Sequence, residues 1–156
     1  MTAESLGTYL NDHLSGSIAA VEMLERAIEH NAGTPLAREL AEIATQIRED
    51  QQVLRTVLSE LGVPENPLKK AGAWLLEKAG RLKLGDTSGA ELSRLEMLEG
   101  LALGIQGKLA LWRSLRRAGE RYPVLATLDL VTLERRAREQ WERVEAHRLE
   151  AAEQGL

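Results

Sequence analysis

Apolar residues recur at steps of three and four along most of this chain, and that periodicity most constrains its fold. Such spacing places apolar side chains on one face of an α-helix. All four prolines stand at breaks in the pattern, one or two residues after a glycine, an asparagine or a tyrosine, so no predicted helix has a proline in its interior. The sequence therefore predicts an all-α protein whose helices each bury one face.

The breaks divide the chain into four long segments. Gly33, Thr34 and Pro35 form a helix stop, an N-cap and a proline at the first helical position. Later breaks lie at residues 62–67 and 119–123. The four long helices are predicted at about 4–31, 35–61, 89–118 and 124–153. Each would be roughly 40 Å long at 1.5 Å per residue.

The connections between these helices differ in length. Short turns join the first helix to the second and the third to the fourth, which predicts two antiparallel hairpins. The stretch 63–88 is longer and contains a predicted amphipathic helix at about 67–80. Such a connection can cross the length of a bundle. We expect one domain over residues 1–156, a four-helix bundle of two hairpins joined by a long crossover that contains a short helix.

Composition excludes several classes of function. The formal net charge of -4 disfavours a general role on nucleic acid, which usually requires a basic excess. The absence of cysteine excludes thiolate nucleophiles and cysteine-ligated metals. No apolar run approaches the roughly 20 residues of a transmembrane helix. The start of the chain lacks the basic and apolar regions of a signal peptide, so we expect a cytoplasmic protein.

Helical bundles often hold two metal ions through inward glutamates and Glu-x-x-His motifs. Here His13, His30 and His147 are preceded three positions earlier by leucine, alanine and valine. The sequence most similar to a Glu-x-x-His motif is a Glu-x-x-Gln that begins at Glu49, and this spacing arises freely in glutamate-rich helices. We therefore expect no cofactor, and the weak candidates for metal ligands are Glu49, Asp50, Glu99 and His13.

Several polar residues interrupt the apolar stripes. Left unpaired in a core, each would cost on the order of 1–3 kcal/mol, so they should pair with one another, with water or with a ligand. We favour a structural polar layer that sets helix register, and a small-ligand or metal site is the alternative. The candidates are His13, Ser17, Asp50, Glu99, Gln106 and Gln140.

Two surfaces suggest partners. The predicted third helix is apolar on a second side, where Met97, Leu101, Leu103 and Leu111 lie, and a crossover segment or a partner subunit would cover it. Residues 68–84 combine lysines with leucines and a tryptophan, a pattern that can dock on an anionic membrane. We favour packing of that segment on the bundle with its lysines in water.

The layout of hairpin, crossover and hairpin resembles the ferritin-like superfamily. The stretches 9–14 (YLNDHL) and 107–112 (GKLALW) are similar to those of a small bacterial branch that lacks the di-metal ligand motifs. The resemblance implies a ferritin-like four-helix bundle. The superfamily would also imply iron oxidation or storage, but its inward ligand residues do not map onto this chain, so no functional residue is carried over.

Three hypotheses follow. The first is a non-enzymatic bundle that binds itself or a protein partner through the third helix. The second is a divergent metal-binding bundle with an oxidase-like role. The third is a module that docks peripherally on anionic membrane through residues 68–84.

Overall fold

A computed structural model describes residues 2–66 and 89–156 of the chain. Within these ranges every regular element is helical, which confirms the predicted all-α class. The long helices are α1, α2, α3 and α4, at Ala3–His30, Pro35–Glu60, Ala90–Ala118 and Leu130–Gly155. Two short 3-10 helices, Gly119–Arg121 and Pro123–Thr127, lie between α3 and α4.

The helix boundaries follow from local chemistry. Gly33 and Gly62 have φ angles of 83° and 67°, so the chain turns out of α1 and α2 through a conformation that glycine adopts at little cost. The hydroxyl of Thr34 accepts a hydrogen bond from the backbone N–H of Ala37, and Pro35 occupies the first turn. The predicted cap and proline at the start of the second helix are therefore confirmed.

The last long helix begins later than the predicted residue 124. Residues 123–127 form a 3-10 turn, and α4 starts at Leu130. The carboxylate of Asp129 accepts a hydrogen bond from the N–H of Thr132 at 3.1 Å. This N-cap, which the sequence analysis overlooked, sets the true start because it satisfies one of the free N–H groups in the first turn.

Contacts between helix ends define the direction of each helix. Gly7 near the start of α1 lies against Val63, just beyond the end of α2. The hydroxyl of Tyr9 donates to Ser114 near the end of α3 at 3.3 Å. At the other end of the molecule, Gly155 of α4 lies against residue 91 of α3. Consequently α2 and α3 run in the same direction, and α1 and α4 run opposite to them.

The end of α2 and the start of α3 therefore lie at opposite ends of the helix assembly. The predicted crossover helix at 67–80 and the amphipathic segment 68–84 both lie outside the described residues. The extent of the domain, predicted as 1–156, stays a prediction.

The core consists of two apolar clusters stacked along the helices. One cluster lies toward the α1–α2 turn and includes Leu24, Ile47 and Ile105. The other lies toward the opposite end and includes Leu14 and Trp112. The residues between these two clusters on each helix are polar or small, and they form the layer in which the candidate site lies.

The second apolar side of α3 is largely covered. Met97, Leu101 and Leu111 are buried, and Leu103 alone of the four predicted residues is exposed. None of the helices in the described ranges is long and apolar enough to span a bilayer.

Candidate ligand-binding cavity

A buried ion pair joins α2 to α3 between the two apolar clusters. The Asp50 side chain is almost completely buried, and Lys108 Nζ lies 2.7 Å from its Oδ2 atom. The guanidinium of Arg136 on α4 donates to the other oxygen of Asp50 and also lies 2.6 Å from Glu49 Oε2. One carboxylate therefore receives cations from two neighbouring helices.

Amides extend this group of charges. Lys108 also donates to the side-chain oxygen of Gln140 on α4. The Gln140 amide in turn donates to Gln46 Oε1 at 2.7 Å. Five side chains on three helices are linked in this way, and we call them the polar layer: Asp50, Lys108, Arg136, Gln140 and Gln46. Each charged member has a partner, as burial of charge requires.

Burial and neighbouring charges shift the pKa values of two cations of the polar layer in opposite directions. Burial lowers the pKa of Lys108, and the charge and hydrogen bond of Asp50 counter this only in part, while Arg136 adds repulsion. Burial also acts against the charged form of Arg136. Its hydrogen bonds and charge pairing with Asp50 and Glu49 outweigh that effect and raise its pKa.

A cavity of about 350 Å³ adjoins the polar layer between α1, α2 and α3. Most of its wall is apolar, with the polar groups gathered on a few side chains. It reaches the molecular surface, because Gly104 in its lining is exposed and Asp12 is only half-buried. Its lining residues are Tyr9, Asp12, His13, Gly16, Ser17, Ala20, Ile47, Asp50, Gln51, Leu54, Leu101, Gly104, Ile105, Gly107, Lys108 and Trp112.

Three small residues create the open space. A Cβ atom placed on Gly16, Gly104 or Gly107 would have no heavy atom within 4 Å outside its own helix. Gly16 belongs to α1, and the other two belong to α3. Because these positions carry no side chain, α1 and α3 leave between them a gap that residues with side chains would fill.

Trp112 and His13 are polar side chains of the cavity wall that make no hydrogen bond with the described residues. The Trp112 side chain is fully buried, and its indole N–H has no acceptor. The His13 ring contacts the Tyr9 ring edge-to-face, with centroids 4.7 Å apart, and makes no hydrogen bond there. Burial lowers the pKa of His13 despite the adjacent charge of Asp12, which favours a neutral imidazole.

The structure brings together four of the six polar residues singled out from the sequence. His13, Ser17 and Asp50 line the cavity, and Gln140 lies in the polar layer behind it. The Ser17 hydroxyl donates to the Leu14 carbonyl at 2.7 Å, so it does not pair with His13. Whether any of them holds a ligand stays a prediction.

The inward placement predicted for Glu99 and Gln106 is wrong, since both side chains are exposed. Because α3 is apolar on two sides, more than one set of its positions fits an apolar stripe that faces the core. The structure turns Leu98 and Ile105 inward, and the residues that follow them lie about 100° around the helix. Glu49 is also exposed and pairs with Arg136.

Sequence reasoning missed Lys108, Arg136 and the indole N–H of Trp112. A signal for Lys108 was present, because it lies three residues after Ile105 and four before Trp112, on the buried face of α3. Its charge made a surface position the simpler assumption. Arg136 had no comparable signal, since its inward reach depends on Asp50 on another helix.

Metal ligands do not converge in the described part of the chain. No group of three or more histidine or acidic side chains there could hold an ion. The weak candidates Glu49, Asp50, Glu99 and His13 are accordingly divided between an exposed ion pair, the polar layer, the surface and the cavity wall.

The fold and the cavity define an all-helical protein with a mainly apolar pocket beside a buried charge cluster. Comparison of the chain with protein-family models, curated proteins and solved structures finds no match.

Proposed function

We propose that this protein is a non-enzymatic binding protein that holds a small, mainly apolar molecule carrying a hydrogen-bond acceptor in the cavity between α1, α2 and α3. The observation that carries the proposal is a cavity of about 350 Å³ with a mostly apolar wall, in which the His13 imidazole makes no hydrogen bond with the described residues. A neutral imidazole has one N–H donor, and a ligand oxygen in the cavity would accept its hydrogen bond.

The size and wall of the cavity suit such a ligand. Small-molecule pockets typically measure about 300–1,000 Å³ and combine apolar walls with a few polar groups. An apolar cavity of roughly 150 Å³ already accommodates benzene in another protein. A volume of about 350 Å³ therefore has room for one ring with a polar substituent.

Charge further narrows the ligand class. Asp50 and Lys108 neutralise each other in the wall, and the His13 imidazole is favoured in its neutral form. Asp12 adds one negative charge near the opening. An anionic ligand would meet that charge, so an uncharged alcohol, aldehyde, ketone or amide is the class that the wall favours.

The test uses benzyl alcohol as a probe and toluene as its counterpart without the oxygen. Titration followed by backbone amide NMR should move the resonances of residues lining the cavity, with benzyl alcohol binding more tightly than toluene. Replacing His13 by Phe should remove most of that preference, because it removes the imidazole N–H and keeps an aromatic ring.

A blocking variant separates cavity binding from surface binding. Gly16→Leu should abolish binding of benzyl alcohol, since the new side chain would enter the open space beside α1. Ala146→Leu, at an exposed position on α4, is the matched control and should bind as the natural protein does. Equal binding by all three proteins would overturn the proposal.

We propose, in addition, the ferritin-like connectivity for this bundle. The parallel course of α2 and α3, flanked by antiparallel partners, supports it. Iron chemistry receives no such support from the described residues.

Self-association through α3 would depend on Leu92 and Leu103, which are exposed on the same side of that helix. Light scattering at high concentration would test it.

A further inference from the structure

A buried glutamate on α4 is surrounded by three arginines. The Glu134 side chain is only 5% exposed, and Arg116 Nε lies 2.9 Å from its Oε1 atom. Arg113 Nε and Arg138 Nη2 each lie 3.7 Å from its Oε2 atom. Two of these arginines belong to α3 and the third belongs to α4, so one carboxylate gathers guanidinium groups from both helices. We call Arg113, Arg116 and Arg138 the arginine cluster.

The arginine cluster carries more charge than its carboxylate neutralises. Glu134 supplies one negative charge, and none of the three arginines forms an ion pair with another described residue. Arg117 follows Arg113 by one turn on the same face of α3, and Glu120 follows in turn. Four arginines and two glutamates give this surface a net charge of +2, on a chain whose formal net charge is -4.

Neutralisation of Glu134 and helix capping do not account for all three arginines. A single guanidinium suffices to pair a buried carboxylate. The helix dipole favours cations only within the last turn of a helix. Arg113 lies more than one turn before the last residue of α3, and Arg138 lies in the first half of α4. The additional positive charge is therefore left for solvent or for a ligand among the described residues.

The three guanidinium groups keep hydrogen-bond donors free. Each has five N–H groups in a planar fork, and the side chains are between 51% and 57% exposed. Arg113 Nε and Arg138 Nη2 have one carboxylate oxygen as a common neighbour at 3.7 Å, so these nitrogens are at most about 7.4 Å apart. One phosphate group spans such a gap, because two of its oxygens each accept a hydrogen bond of about 2.8 Å.

We propose that the arginine cluster binds a phosphate-bearing anion on the surface of α3 and α4. None of its residues lines the cavity, so the site is separate from the one in the proposed function. A terminal phosphate has a charge of about -1.5 to -2 near pH 7 and three acceptor oxygens, which matches the local excess of charge. Guanidinium groups bind phosphate through paired N–H donors. A carboxylate ligand offers less charge and fewer oxygens.

Titration with inorganic pyrophosphate tests the proposal. The full-length protein is titrated at low salt and followed by NMR of the backbone amide and arginine Nε–H resonances. We expect saturable shifts at residues 113–117 and 134–138, with a dissociation constant on the order of 1 mM. Sodium chloride at the same ionic strength should not reproduce them. Shifts that chloride reproduces, or that do not saturate by about 10 mM pyrophosphate, would overturn the proposal.

Three variants locate the anion. Arg113→Gln should weaken pyrophosphate binding about threefold to fivefold, as the loss of a partly exposed ion pair predicts. Arg138→Lys keeps a cation beside Glu134 and so preserves folding, but it should weaken binding about threefold because paired donors are lost. Arg48→Gln is the matched control, since it removes the same charge from an exposed ion pair on α2, and its affinity should be unchanged. Equal affinities for the natural protein and all three variants would overturn the proposal.

Vesicles distinguish two sources of a phosphate group. Cosedimentation with vesicles of phosphatidylcholine and phosphatidic acid that Arg113→Gln weakens would identify a lipid headgroup as the ligand. Pyrophosphate binding without cosedimentation would identify a soluble phosphate compound. Both results support the site. Cosedimentation that Arg113→Gln leaves unchanged, without saturable binding of pyrophosphate, would overturn it.

Discussion

The buried carboxylate of Asp50 on α2 accepts a hydrogen bond from the ammonium of Lys108 on α3, with 2.7 Å between Oδ2 and Nζ. This contact lies between the two apolar clusters and links the two parallel helices through their side chains. Ion pairs in such positions contribute less to net stability than their geometry suggests, because both ions lose their hydration.

Removing one partner of this pair should be costly. Asp50→Asn leaves Lys108 and Arg136 without their shared charge, so we expect the free energy of unfolding to fall by about 3–5 kcal/mol. Glu25→Gln is the control, since Glu25 pairs with Arg48 at an exposed site, and there we expect a loss of under about 1 kcal/mol. Urea denaturation measures both. Equal losses would show that the polar layer is solvated.

His13 should make stability depend on pH in mildly acid solution. Burial lowers its pKa in the folded protein below the ordinary 6.5, so between these two values the unfolded chain binds more protons. Stability therefore rises with pH through this window and is lost as the pH falls below 6.5. His13→Gln should remove this part of the pH dependence. Urea denaturation of both proteins at several pH values measures it, and identical slopes would contradict the prediction.

Two glycine-to-alanine substitutions should have opposite effects. A Cβ on Gly7 would lie 2.6 Å from Val63 Cγ1, so Gly7→Ala should destabilise the protein by about 1–3 kcal/mol. A Cβ on Gly104 meets nothing within 4 Å, and alanine there should stabilise the helix by roughly 0.5–1 kcal/mol. Thermal unfolding of both variants and of the natural protein measures these changes in stability. A stabilising Gly7→Ala would show that the chain beyond α2 does not pack on α1 as described.

Asn11 should hold the chain where it leaves α2. Its buried side chain donates to the Pro64 carbonyl at 3.1 Å and accepts from the Asn66 N–H at 2.7 Å. Asn11→Ala should therefore cost about 1–3 kcal/mol, and amide hydrogen exchange near residues 63–66 should accelerate. Thr45→Ala, at an exposed position on α2, is expected to change neither. Unaltered exchange in Asn11→Ala would contradict this role.

The sequence by itself determined the helices and most of their limits. Gly33, Thr34 and Pro35 specify a turn and a cap through backbone conformation and a hydrogen bond three residues away. Apolar periodicity specifies which elements are helical, because it depends only on neighbours within one or two turns. The same local information identified Asp50, His13 and Ser17 as residues that interrupt a buried stripe.

Only the tertiary structure decided which polar residues meet. Lys108 lies inward and Gln106 outward, because rotation of α3 depends on its packing against α1 and α4 rather than on its own pattern. Arg136 belongs to the polar layer because it reaches a carboxylate 86 positions away in the chain. Glycines on both α1 and α3 line the cavity. The spacing of residues within one helix carries no information about the side chains that a neighbouring helix places opposite them.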